Sequence, residues 1–208
     1  MKRMMAPFLA LALLTLTACA PAYQAEELKG DPSSVPAAQA DADLTGGAEA
    51  VADLAVELLR QTDTGGGTPV SPVSVAYALA MTANGAAGDT LAQMESVLGL
   101  PLEELNPYLR ACAGQLPDEK GCRCAMANSI WLRDQADRLT VEQPFLDAAA
   151  AYYDASIFKA PFDESTLRDI NAWVSDHTGG LIPSIVNQIP ESAMMNLINA
   201  LAFEGEWE

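Results

Sequence analysis

A single histidine and four cysteines are the most reactive side chains in this 208-residue sequence, and their contexts build no catalytic set. His177 closes a helix-forming stretch, where a C-terminal cap facing the helix dipole is a better role than a base. No Gly-x-Ser-x-Gly occurs. Cys122-Arg123-Cys124 lacks metal-ligand spacing and has no histidine nearby. The acids are dispersed without EF-hand spacing. The expectation is a non-enzyme with no catalytic residue, metal or cofactor. Asn199 is a different kind of candidate, because it lies inside the apolar run Leu197 to Phe203. A buried amide must be hydrogen-bonded, and hydroxyls at helix starts are suitable partners.

Charge narrows the partners. The net charge is −17. Loss of Lys2 and Arg3 with an export segment, two fewer cations and no fewer acids, would make it −19. Such a surface opposes binding to nucleic acid or to an anionic membrane by electrostatics. Half of the residues are apolar, enough for a sizeable core.

Lys2 and Arg3 open the chain with positive charge, and Pro7 to Leu16 is an apolar stretch too short for a permanent membrane span. Leu16-Thr17-Ala18-Cys19 then looks like a lipobox, in which the cysteine takes a diacylglycerol and the new N-terminus a further acyl chain. Several chains on one residue give stable anchoring, where one gives marginal binding. Residues 1–18 are thus expected to be a bacterial lipoprotein signal peptide, with Cys19 the lipidation site. The protein is expected to be exported and lipid-anchored to the cell membrane, facing outside. Residues 19–47, rich in Ala, Pro, Ser, Gly and acids, read as a flexible tether. In an exported protein, Cys112 with Cys122 or Cys124 is a candidate disulfide, with one thiol left over.

Residues 48–208 carry regular periodicity. Glu49 to Arg60 places Val51, Leu54, Ala55 and Leu58 on one helical face. Ser71-Pro72 is an N-cap followed by proline at the first helical position, and Val73 to Ala83 is apolar almost all round, which predicts a buried helix stopped by Asn84-Gly85. Thr90 and Gln93 form a capping-box pattern for a third helix ending at Gly99, and Leu102 to Leu116 predicts a fourth. Ala125 to Leu132 alternates as a strand. Thr140 to Tyr153 predicts a helix with its own Thr140/Gln143 box, Ser156 to Phe162 a strand, and Ser165 to His177 a helix. Met194 to Phe203 predicts a strand buried on both faces.

In this order the elements resemble the N-terminal half of a serpin: helices A to D, strand 2A, helix E, a further strand, helix F and strand 3A. Ser71-Pro72-Val73-Ser74 with Ala78-Leu79-Ala80-Met81 resembles helix B. Thr90-Leu91-Ala92-Gln93-Met94 with Val97-Leu98-Gly99-Leu100 resembles helix C. Ala127-Asn128-Ser129-Ile130-Trp131 resembles strand 2A. Ile170-Asn171-Ala172-Trp173-Val174 with Thr178, Gly180 and Ile182 resembles helix F and its exit. Asn199-Ala200, Phe203, Gly205 and Trp207-Glu208 resemble the end of strand 3A. Leu181 stands where the family usually has lysine, Ala202 where it usually has a bulky residue, and Gly121 to Cys124 has no counterpart.

The resemblance implies an α+β fold limited to helices A–F and the first strands of sheet A, with the C-terminal half and the reactive loop absent from this chain. It implies a suicide-substrate inhibitor of serine or cysteine proteases, in which a cleaved loop inserts into sheet A and carries the protease with it as an acyl-enzyme. A non-inhibitory binding lipoprotein and an inactive truncated product are the alternatives. By the same resemblance, Ser71, Ser74 and Asn199 belong to a polar shutter beneath the opening sheet and Trp207 to the breach where insertion begins. Asn171, Trp173 and Thr178 belong to helix F, which must yield.

Overall fold

The computed structural model describes residues 23–35, 45–63, 65–67 and 69–206. The expected signal segment (residues 1–18), Cys19 and Trp207 lie outside the described residues. The elements are β1 (Glu26–Leu28), α1 (Thr45–Thr62), α2 (Pro72–Ala83), α3 (Gly88–Leu98), α4 (Leu102–Ala113), β2 (Asp118–Glu119), β3 (Cys122–Arg133), α5 (Gln143–Tyr153), β4 (Ser156–Ala160), α6 (Glu164–His177) and β5 (Met195–Gly205).

Strand β3 is the axis of the sheet. Along one edge it pairs with β5 over its length, antiparallel, with Asn128 opposite Asn199 and Ile130 opposite Leu197. Its other edge takes β2 at its start, antiparallel, and β4 at its end, parallel from Ser129↔Ser156 to Arg133↔Ala160. Strand β1 extends the sheet beyond β4.

Side-chain alternation divides the core. Trp131, Phe158, Ala160, Ile198 and Ala200 point to one face, where they pack with Ile170, Trp173 and Val174 of α6. Ile130, Leu132 and Ile157 point to the other face and meet Phe145, Leu146 and Ala149 of α5. Behind them Tyr77, Ala80 and Met81 of α2 pack with Leu54, Leu98, Leu105 and Leu109 of the other helices. The result is α6, then the sheet, then five helices.

Several local expectations are revised. Helix α3 begins at Gly88 and α5 at Gln143, with Ala87 and Glu142 as N-caps that make no side-chain bond. Neither capping-box pattern sits at a helix start: Thr90 lies inside α3, and Thr140 precedes the Glu142 cap of α5. Helix α6 is capped by Asp163, whose carboxylate accepts the Ser165 and Thr166 amides. Strand β5 is buried on one face through Ile198, Ala200 and Ala202, while Leu197, Asn199 and Leu201 are half-covered and Phe203 is 66% exposed. Helix α2 likewise buries one side only, since Val75, Ala78 and Leu79 line an open groove.

The largest departure concerns the tether. Residues 23–31 dock on the domain. The Tyr23 ring meets Phe158 edge-on at 5.6 Å, and its hydroxyl donates to Asp176 at 3.1 Å. The Gln24 and Ala25 amides donate to Asp169 at 2.7 and 2.9 Å, and Glu26–Leu28 pair with β4. The Asp31 amide donates to Asp147 of α5 at 2.7 Å. Its composition is featureless, yet a free sheet edge and three helix carboxylates supply the partners it lacks locally.

Candidate functional site

The polar groups beneath the central strands form a connected seam. Because β3 and β5 are in register at Asn128 and Asn199, both amides leave the sheet on the helix-covered face. The Asn199 side-chain nitrogen donates to Asn128 Oδ1 at 2.8 Å, and Asn128 donates to the Tyr153 carbonyl at the end of α5, also at 2.8 Å. The Tyr153 hydroxyl then joins Asn84, which follows α2, and Asn106 of α4. The two asparagines also exchange bonds, at 3.0 and 3.2 Å. Burial is the main reason the Tyr153 phenol is held far above its ordinary pKa, so it remains a neutral donor. Tyr77 is raised for the same reason and donates to the Leu109 carbonyl.

One atom of the seam has no partner. Asn199 Oδ1 is buried and accepts no hydrogen bond among the described residues. It lies beside a groove of about 480 Å³ lined by Ser74, Val75, Leu79, Ile185 and Leu197, among others. Ser71 caps α2, its hydroxyl accepting the Ser74 amide at 3.3 Å and donating to the Ser74 hydroxyl at 2.9 Å. Ser74 and Asn199 thus face one groove, but the hydroxyls expected to bind the amide bond each other instead. Asn128 fills the role assigned to them.

Strand β5 has a second feature. Its edge away from β3 carries no strand among the described residues.

Helix α6 lies across the other face of the sheet and is held at its exit. Asn171 donates to the Val186 carbonyl at 2.8 Å, and its Oδ1 accepts the Ile185 and Val186 amides at 2.8 and 3.0 Å. The Thr178 hydroxyl donates to the Val174 carbonyl at 2.8 Å and accepts the Ile182 amide at 3.1 Å. Trp173 is 1% exposed and packs against the sheet. The His177 ring stacks on Trp173 at 4.1 Å, and its Nδ1 sits 2.8 Å from the Trp173 carbonyl. A carbonyl can only accept, so Nδ1 carries the hydrogen and the ring caps the helix.

The three described cysteines, Cys112, Cys122 and Cys124, are free thiols. No cluster of His, Cys, Asp and Glu among the described residues could hold a metal. What the site offers is mechanical: a polar seam under two strands, an uncovered strand edge, and a helix pinned at its exit by re-formable hydrogen bonds.

Asn128, Asn84, Asn106 and Tyr153 are not among the site residues to which the sequence points. The signal for Asn128 was present, since it interrupts an apolar strand just as Asn199 does. Asn84 read as a helix stop, and nothing in the sequence linked it to Tyr153.

The comparisons point the same way. A family model described as Serpin (serine protease inhibitor) matches residues 49–208. Serine protease inhibitor 42Dd of Drosophila melanogaster is 31% identical over 163 residues, covering 73% of this chain and 42% of its own length. The leukocyte elastase inhibitor of Bos taurus is 30% identical over 162 residues, covering 72% of this chain and 41% of itself. The native state of the thermophilic serpin tengpin superimposes with a TM-score of 0.78 at 41% identity, over 89% of this chain and 48% of that one. The chain therefore spans less than half the length of the curated relatives it matches. A match across six helices and the sheet they enclose, in one order, has a single reading: the chain belongs to the serpin family, of whose α+β fold it covers part.

Proposed function

We propose that this chain supplies the strand-receiving part of a serine protease inhibitor displayed at a cell surface. The observation that carries the reading is β5: among the described residues it has an uncovered edge and, beside it, a buried Asn199 oxygen without a donor. A strand added along that edge would complete the ladder and could bring a donor to Asn199. Completing a sheet is the energy source of the serpin mechanism as the family resemblance implies it. In that mechanism the protease serine attacks a peptide carbonyl of the exposed loop and expels the amine, leaving an ester. Loop insertion then displaces the protease before water can hydrolyse that ester. The protein is consumed and needs no catalytic residue of its own.

The test uses the mature protein as the cell makes it, mixed with trypsin-like, chymotrypsin-like, elastase-like and subtilisin-like enzymes. An SDS-stable one-to-one complex with at least one of them is expected. Cleavage of the protein with no complex in any mixture would favour a non-inhibitory serpin-like binding protein.

Surface display rests on Leu16-Thr17-Ala18-Cys19. Labelled fatty acid fed to the source cells should enter the protein, and Cys19→Ala should abolish the labelling. Equal labelling of the variant would remove the anchor from the proposal.

A further inference from the structure

We propose that the docked segment 23–31 works as a short leash, holding the domain against the membrane with the β1–α6 side toward the lipid. The inference rests on lipidation at Cys19. If residues 19–47 were free, the chain between anchor and domain would extend to about 100 Å. The first described residue, Tyr23, is already docked, however, so at most four residue steps separate the anchor from the domain, a reach of about 14 Å. The dock itself spans three elements. Tyr23 binds Phe158 and Asp176, the Gln24 and Ala25 amides bind Asp169, β1 pairs with β4, and Asp31 reaches Asp147 on α5.

Two further facts support a leash over other modes of attachment. No described helix is long and apolar enough to cross a membrane. Lys29 and Lys159, on the docked side, are paired with Glu27 at 2.7 Å and with Glu26 and Asp134 at 3.3 and 3.6 Å. Both lysines already face carboxylates on an acidic surface, which favours the lipid on Cys19 over headgroup charge as the source of attachment. The orientation would keep α1 and α3, which pack on α2 behind the sheet, on the side away from the bilayer.

The test uses protein purified from membranes, with the acyl mass on Cys19 checked by mass spectrometry, in phosphatidylcholine vesicles containing acceptor dye. A donor dye is carried on an unnatural side chain at Ala172 of α6 or at Val97 of α3, both exposed. Energy transfer to the bilayer should be several-fold greater from position 172 than from 97. Inserting about 20 Gly and Ser residues between Cys19 and Tyr23, which touches no docked side chain, should bring both donors to one low value. Tyr23→Ala with Asp169→Ala should also erase the difference. Equal transfer from the two positions in lipidated protein would overturn the leash while leaving lipidation intact. A free thiol at Cys19 in protein from cells would overturn lipidation and the leash with it.

Discussion

At the scale of single residues, the seam turns on whether each buried amide keeps a partner. Asn128 is 4% exposed and serves both as acceptor for Asn199 and as donor to the Tyr153 carbonyl. Asn128→Leu leaves two buried groups unpaired, so a loss of about 1–3 kcal/mol is expected. Asn199→Leu removes one of the two bonds and also abolishes the orphaned Oδ1, so it should cost less. In the double variant the costs should not add, because both substitutions break the same bond. Urea unfolding of the four proteins checks this, and strict additivity would mean the Asn128–Asn199 bond is not formed in solution. Asn171 invites a more local prediction. Asn171→Ala removes the acceptor of the Ile185 and Val186 amides. Those two amides should exchange with solvent at least several-fold faster while the amides of α6 stay protected, which hydrogen exchange read by NMR would show.

At the scale of elements, the docked N-terminal segment has a pH limit. The Tyr23 phenol is pushed up from 10.0 to about 12, first by burial and then by its bond to the Asp176 carboxylate. Docking thus favours the neutral phenol. Its contribution is complete below pH 10 and is lost as pH rises through about 12, when the phenolate faces Asp176 and Asp169. Loss of protection at the Gln24 and Ala25 amides should follow the tyrosine absorbance change in that window. Undocking at neutral pH would contradict it. Sterics give a second handle on the same element. A Cβ at Gly30 would lie 2.2 Å from the Leu146 carbonyl oxygen, too close for α5 to accept without moving. Gly30→Val should release the segment, exposing the Gln24 and Ala25 amides while α5 and the core unfold at an unchanged midpoint.

At the scale of the whole molecule, the uncovered β5 edge and the exposed Phe203 are hazards as well as features. An unpaired apolar edge is a template for another strand. Expressed as these 208 residues alone, the protein should associate as its concentration rises, and Phe203→Lys should weaken that association several-fold. Sedimentation velocity over a concentration series measures it. A monomer at all concentrations would mean that the edge is masked by something other than another strand.

How much of this was legible in advance depended on whether the determining physics is local. The apolar stripe of α1, the Ser71-Pro72 start of α2, the alternation in β3 and the stop at Gly99 are set by neighbours within a few residues, and each is readable without the fold. That Asn199 needs a partner follows from the sequence alone, because an amide in an apolar strand cannot be left dry. Which partner it takes does not, since Asn128 stands 71 positions away and meets it only through the β3–β5 register. The same holds for Glu26 to Leu28, three residues with no strand signal of their own. They become a strand because β4 presents a free edge and Asp169 presents a carboxylate, and those surfaces exist only after the distant segments have folded together.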